Sequence, residues 1–494
     1  MSEDTPVNTG VVEWPEPSSA HYAVRRMQTK LHRWAGEDSS RRFADLYNLV
    51  YDPAFLTCAW ARVATNAGAR TPGIDKATVA WIETRIGVVV FLEHIRTALK
   101  TGEFEPVAVR QVLIPKSSGK LRSLGIPVVA DRVVQTALKL VLEPIFEADF
   151  LPCSYGFRPN RRAHDAIAEI QYLASRSYEW VLEADIASCF DEIGHTPLLE
   201  RMRARIKDKR VIALVRAFLK SGVMTTSGDR KETYTGAPQG GALSPLLANI
   251  ALTALDRHFD CQWRQDMGTR VERSKRRRHG LGTWRLIRFA DDFVVMVSGT
   301  REHAETLRQE VAEVLRPLGL RLAPEKTRTV HIDEGFDFLS FNVRRQRKRG
   351  TSQYYVYTKP SRKAIQAIKD KVKRRTHRST RPQSMDRMIA SLNRLLVGWA
   401  NYFRYGVSKQ IFSQIDQHVW WRLMRWAQNK YAGKNRPGMK TIRARFCDQG
   451  WRFAHNGVIF VGASSVVVTR YRYRGNRIPN PWNDKPIAMA ETPG

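Results

Sequence analysis

The stretch RLIRFADDFVVMVSG at 285–299 sets two adjacent carboxylates, Asp291 and Asp292, inside an apolar, β-branched run. Burying an unpaired carboxylate costs several kcal/mol or forces its protonation, so an ordinary core strand would avoid the pair. Successive strand residues also point to opposite faces, and one strand could not bring both side chains together. The pattern predicts two short strands, 286–289 and 293–297, joined by a tight turn that carries the aspartates. Clustered carboxylates at a strand end suit a divalent cation, because hard ions take oxygen ligands. The chain offers a partner in VLEADIASCFDEI, where Asp185 ends another apolar segment. Two such strand ends can hold two Mg²⁺ ions roughly 4 Å apart, the arrangement that serves in-line phosphoryl transfer.

Several elements must position these carboxylates. FEPVAVRQVLIPKSSGKLRSLGIP at 104–127 alternates like a hairpin around 117–119, and 131–146 reads as a helix. A glycine-rich loop at 236–241 runs into SPLLANIALTALD, with Ser244 expected as N-cap and Pro245 at the first helical position. RVERSKRRRHG at 270–280 reads as a basic loop, and GLRLAPEKTRTVHI and FDFLSFNVRR as further β-segments. Beyond about residue 345 the chain turns strongly basic. It then forms an amphipathic helix whose apolar face carries Met388, Leu392, Leu395, Leu396, Trp399 and Phe403.

Charge points to the partner. The 494 residues hold 81 Lys and Arg against 48 Asp and Glu, a net +33, which makes a polyanion the default ligand. The excess is concentrated: residues 341–440 carry 25 Lys and Arg and only three acids, Asp370, Asp386 and Asp416. The five cysteines are scattered with no CxxC pair, which excludes a disulfide framework or a cysteine-rich zinc site and fits a reducing cytoplasm. No apolar run approaches the ~20 residues of a membrane span.

DIASCF at 185–190, GAPQGGALSP at 236–245 and FADD at 289–292 resemble, in order and spacing, the palm motifs of reverse transcriptases. More narrowly, the chain resembles bacterial group II intron-encoded reverse transcriptase/maturases, in their endonuclease-lacking form. RRFADLYNLVYDPAFL, PGID, IPKSSGKLRSLGIP, YGFRPNRRAHDAI and LNRLLVGWANYFRYG carry that likeness across roughly residues 20–430. The resemblance implies an α+β right-hand polymerase fold of fingers, palm and thumb, with a helical basic thumb/maturase domain and a short C-terminal extension. The division expected is a disordered tail at 1–20, fingers and palm at 21–345, the thumb or X domain at 346–430, and a DNA-binding segment without an HNH endonuclease at 431–494.

By the same resemblance, Asp185, Asp291 and Asp292 are the catalytic metal ligands, and Lys326 is a catalytic proton donor to pyrophosphate. Lys116 and Arg122 grip the dNTP triphosphate. Phe190 is the steric gate against a 2′-hydroxyl, and Gln239 lies beside the incoming nucleotide. Arg158, Arg161, Arg162, Lys363, Lys373, Arg374 and Arg375 are expected to contact nucleic acid. The implied partners are group II intron RNA, target DNA and a primer, with no membrane and no obligate protein partner. The place of action is the bacterial cytoplasm, at the nucleoid when DNA is bound. The implied function is RNA-directed DNA synthesis on intron RNA, joined to assisting intron splicing. Two other readings stay open: a reverse transcriptase of another lineage, serving defence or diversification, and an RNA-binding splicing factor that no longer polymerises. Phe289 stands where many relatives have Tyr, which keeps the ring and drops its hydroxyl.

Overall fold

The computed structural model describes residues 13–482, apart from 116–118, 120, 434, 449, 450 and 476. At its centre lies an antiparallel sheet in the order Thr283–Phe289, Asp292–Ser298, Trp180–Asp185, Arg328–His331. Strand alternation gives each face of this sheet its own core. Leu182, Ala184, Leu286, Phe293, Val295 and Val297 pack into one cluster, with the helices Pro17–Glu37, Pro53–Thr65, Val129–Glu147 and Ser244–Cys261. Val181, Ile287, Val294, Met296 and Val330 face a second, with the helices Ala163–Ala174, Met385–Phe403 and Lys409–Lys430. Burial on both faces explains why FVVMV is continuously apolar rather than alternating.

The expected opening hairpin forms as Val109–Pro115 paired with Leu121–Ile126. A three-stranded sheet, Phe336–Phe338, Phe341–Arg347 and Tyr354–Pro360, leads from the central sheet to the basic helix Arg362–Arg375. The expected division at 345/346 therefore falls inside a strand. Pro17–Ala20, assigned to the disordered tail, are the first turn of Pro17–Glu37; residues 1–12 of that tail lie outside the described residues.

Two local expectations change. Residues 270–278 are a helix rather than a loop: Thr269 caps the backbone N–H of Glu272, whose carboxylate reaches back to the Thr269 N–H. Four basic residues close the last turn, where they favour the helix dipole. Ser244 is the first helical residue rather than the cap, and its Oγ donates to the Pro238 carbonyl at 2.7 Å, anchoring the glycine-rich loop.

The C-terminal segment, expected to meet DNA, folds back across the protein. Arg474 and the Tyr471 hydroxyl both bond the buried Asp165 carboxylate, and Tyr473 stacks on Tyr172 at 4.5 Å. Trp482 is buried, its indole N–H donating to Gln28 at 3.3 Å. These side chains are engaged inside the protein, while Arg470 and Arg472 remain exposed. No helix among the described residues is long and apolar enough to cross a membrane. Arg474→Ala should lower unfolding stability by about 1–3 kcal/mol, since it strips charge-assisted bonds from a buried carboxylate. Chemical denaturation checks this, and an unchanged midpoint would show that the strap carries no stability.

Candidate polymerase active site

Register brings the carboxylates together. Asp185, the last residue of its strand, pairs directly with Asp292, the first residue of the next. Phe289 pairs with Asp292, so the intervening turn is Ala290 and Asp291 alone. Ala290 adopts a positive φ of 58°, a sparsely allowed region for a residue with a side chain.

A buried arginine holds that turn in place. Arg288 is fully enclosed, and its guanidinium meets Asp256 of the Ser244–Cys261 helix through two bonds of 2.7 and 2.5 Å. It also donates to Asn249 Oδ1 at 3.0 Å, to Ser154 Oγ at 2.8 Å and to the Ala290 carbonyl at 2.9 Å. Asn249 in turn donates to the Gly156 carbonyl at 2.8 Å. A Cβ on Gly156 would lie 2.3 Å from the Ala290 nitrogen, so only glycine lets this backbone back the turn. Sequence reasoning passed over Arg288 and Asp256. The available signal was an arginine in an apolar strand, which needs a buried acid as partner.

On the other side of Asp185 the chain turns through Ser188, at φ 43°, into the short helix Cys189–Glu192. Phe190 is half-buried there, and its carbonyl accepts the Ala237 N–H at 2.6 Å. A Cβ on Gly236 would sit 2.6–2.7 Å from the carbonyls of Asp191 and Phe190. Gln239 donates to Asp191 at 3.1 Å, and its own carbonyl accepts the Gly125 N–H of the hairpin at 2.8 Å. The glycine-rich loop thus ties the expected gate, Phe190, to the expected triphosphate-gripping hairpin.

Residues 321–323 run beside 185–187: Ala187 N–H donates to Arg321 O at 2.9 Å, and Ala323 N–H to Asp185 O at 2.8 Å. The turn Pro324–Lys326 then delivers the Lys326 ammonium onto the Asp185 carboxylate. That hydrogen bond holds Lys326 above its ordinary pKa. Burial, then the Asp185 charge, raises the Asp291 carboxyl, with Arg122 and Lys326 opposing the rise. Asp292 keeps an exposed edge, but its carboxyl lines the crowded cleft. Dehydration there, then the charges of Asp291 and Asp185, push it up to about 7.

The same cleft, about 420 Å³, is lined by Asp185, Asp292, Lys326, Arg328 and Lys363. Arg122 is exposed on the hairpin and faces the aspartates closely enough to bias both. Lys116 lies outside the described residues. Lys373, Arg374 and Arg375 are exposed at the far end of the basic helix, away from the carboxylates. Arg162 is exposed at the start of Ala163–Ala174.

Arg158 corrects the sequence reading. It is buried, bound to the Glu147 carboxylate at 2.7–3.1 Å and to the carbonyls of Phe150, Leu151 and Ser154. With all its donors used inside, it is a structural cross-brace and has nothing to offer a phosphate. Arg161 is half-buried as well, donating to the Pro152 carbonyl at 3.2 Å and covering the Tyr155 ring.

Comparison with known proteins accords with this geometry. Residues 114–343 match the model of the reverse transcriptase (RNA-dependent DNA polymerase) family, and residues 365–445 the group II intron maturase-specific domain. Protein YkfC of Escherichia coli K12 is 37% identical over 360 residues, covering 69% of this chain and 93% of its own. The chain belongs to the group II intron reverse transcriptase/maturase family. It is an RNA-directed DNA polymerase joined to a maturase domain. The group II intron-encoded protein LtrA of Lactococcus lactis is 30% identical over 357 residues, 63% of this chain and 58% of LtrA. A putative COX1/OXI3 intron 1 protein of Saccharomyces cerevisiae is 27% identical over 60% of this chain and 39% of that protein.

The carboxylate cluster fits Mg²⁺. Its donors are hard oxygens, and the carboxyls of Asp291 and Asp292 are raised first by burial and then by neighbouring carboxylate charge, the part that a cation would relieve. Among the described residues no group of three or more His, Cys, Asp or Glu is arranged to hold an ion unaided. Mg²⁺ commonly completes its shell with substrate phosphates and water, so an open protein ligand set suits it. Because the unliganded Asp292 binds a proton up to about pH 7, that proton competes with the ion. Apparent Mg²⁺ affinity should rise from pH 6 to about pH 7 and flatten above it, with proton release on binding below pH 7. Isothermal titration in buffers of different ionisation enthalpy checks this; a pH-independent affinity would exclude Asp292 as a ligand.

Proposed function

We propose that the chain copies group II intron RNA into DNA at Asp185, Asp291 and Asp292, and assists splicing of that RNA through its basic thumb. The observation carrying this reading is the pairing of Asp185 with Asp292 beside the Arg288-held Asp291 turn, with Phe190 and Gln239 tied to the same loop. Two Mg²⁺ ions held by the three carboxylates together with substrate phosphates and water would supply charge neutralisation and a lowered pKa for the primer 3′-hydroxyl.

The chain's own side chains do the rest. Arg122, with Lys116, binds triphosphate oxygens by charge-assisted hydrogen bonds and aligns the α-phosphate with the primer end. The 3′-oxygen forms a bond to that phosphorus as the bond to the bridging oxygen breaks, and pyrophosphate leaves. Lys326, held protonated beside Asp185, can give the departing pyrophosphate its proton. Phe190 closes the space a 2′-hydroxyl would need, so deoxynucleotides are preferred. Splicing chemistry belongs to the RNA. The exposed Lys363, Lys373, Arg374 and Arg375 neutralise its phosphates, and target DNA with a primer enters along the same positive surface in the cytoplasm.

Primer extension on a poly(rA) template tests the site. Asp291→Ala should cut dNTP incorporation by roughly 10³-fold or more while leaving intron RNA affinity within about twofold. Parallel loss of both would reduce the turn to a structural element. Phe190→Ala should raise the rNTP to dNTP incorporation ratio by about tenfold or more, one lost steric contact being worth a kcal/mol or more. An unchanged ratio would remove the gate.

A further inference from the structure

The basic thumb and the segment after it frame an aromatic surface that polymerisation does not use. Trp420 and Trp421, on the helix Lys409–Lys430, and Trp451 frame a groove of about 490 Å³ that Phe460 and Val461 complete. Trp421 is 47% exposed and Trp451 48%, although thirteen tryptophans in the chain would ordinarily seek the core. The platform is braced. The Trp420 indole N–H donates to the Trp451 carbonyl at 2.9 Å, their rings lie 5.7 Å apart, and Trp421 meets Trp420 edge-on at 4.8 Å. Trp451 also has a positive φ of 68°, an outlier for so bulky a residue. That conformation belongs to the tight turn it closes, where the Trp451 N–H donates to the Asp448 carbonyl at 3.2 Å and the Asp448 N–H to the Arg452 carbonyl at 2.9 Å, and the turn holds the ring half in solvent.

Charge identifies the occupant. The guanidinium of Arg443 lies 3.1 Å from the centre of the Trp451 ring, and its Nε is buried without a hydrogen-bond partner among the described residues. The acids nearby are already engaged: Asp416 accepts the N–H groups of Ala463 and Ser464 at 2.6 and 2.8 Å, and Asp448 pairs with Arg452 at 3.0 Å. The groove is lined by Asp416 as well as Arg452, and Arg443 lies against Trp451 beside it; on a chain of net charge +33 such a groove would repel a second copy. It suits a polyanion that also has flat apolar faces.

We propose that this groove binds unpaired nucleotides of RNA, whose bases stack on Trp421 and Trp451 while Arg443 faces the phosphodiester. Stacking of this kind requires no particular base and excludes a duplex, whose bases are already stacked. The proposal rests on the reading of the thumb as an RNA-binding surface, and it adds a single-strand site to a domain to which phosphate contacts alone are otherwise attributed.

Fluorescence anisotropy with the full chain separates the two. The probes are a labelled oligouridylate, a labelled oligothymidylate and a blunt-ended RNA duplex, each titrated at increasing KCl. Trp421→Leu with Trp451→Leu keeps apolar bulk but removes the π-faces. It should weaken oligouridylate binding about tenfold or more, leave duplex affinity within about twofold, and keep the slope of log K against log salt, because no phosphate contact is lost. Neutralising Lys373, Arg374 and Arg375 should instead flatten that slope; if it does not, the phosphate reading fails while the groove still stands on its own result. Trp421→Phe with Trp451→Phe should recover most of the oligouridylate affinity, which separates stacking from misfolding. Unchanged oligouridylate affinity in the leucine variant would overturn the proposal. So would an equal loss on the duplex, a loss confined to oligothymidylate, failure of the phenylalanine variant to recover, or a dimer in sedimentation that the leucine variant abolishes.

Discussion

The site depends on one buried ion pair. Arg288 lies beneath the Ala290–Asp291 turn, and its guanidinium touches the Ser244–Cys261 helix, the 154 position and the turn carbonyl together. Burying both charges is expensive, and such a pair is seldom a net source of stability. Its value lies in geometry. With every donor directed at a fixed acceptor, the turn has one conformation available, and Asp291 is presented beside Asp185 and Asp292. Removing Asp256 would leave an uncompensated buried cation, which is why the helix after the glycine-rich loop and the carboxylate turn act as one unit.

From that unit the remaining geometry follows outward. The glycine-rich loop leads into the Asp256 helix, so its position is set by the same pair. The loop then supports Phe190 through Ala237 and the opening hairpin through Gln239 and Gly125. Gly240, at φ 117°, has no room for a Cβ beneath the Gly125 carbonyl. A local concentration of negative charge is thereby held inside a protein of net charge +33. On the proposed function, the surrounding surface would draw nucleic acid in, and the cluster at the centre would supply a place for cations that arrive with the nucleotide.

Much of this was legible in the residues themselves. Asp185, Asp291 and Asp292 stand out because carboxylates at the ends of apolar strands demand a reason, and the central strands follow from their β-branched runs. Long-range pairing was not legible. Arg158 looked like a surface arginine among its neighbours Arg161 and Arg162, yet its acid, Glu147, lies in the preceding helix and claims it in the interior. The C-terminal Arg- and Tyr-rich stretch has a composition that suits nucleic acid, but Asp165 and Tyr172 give those groups partners at home. Composition reports what side chains can do, and tertiary contacts decide which of them are already engaged. The basic helix at 270–278 was misread for a related reason: its charge hid the Thr269–Glu272 cap that starts it.

The central claim is that Asp185, Asp291 and Asp292 together hold the divalent cations at which DNA is made. Replacing Mg²⁺ by Fe²⁺ in the presence of ascorbate and peroxide generates hydroxyl radicals at the bound ion, which cut the nearest backbone. Mapping those cuts by mass spectrometry gives the most direct test. Cleavage concentrated at 185–190 and 289–293, and suppressed by excess Mg²⁺, is the result this account requires. Cleavage elsewhere in the chain, or cuts at these segments that Mg²⁺ does not suppress, would contradict it.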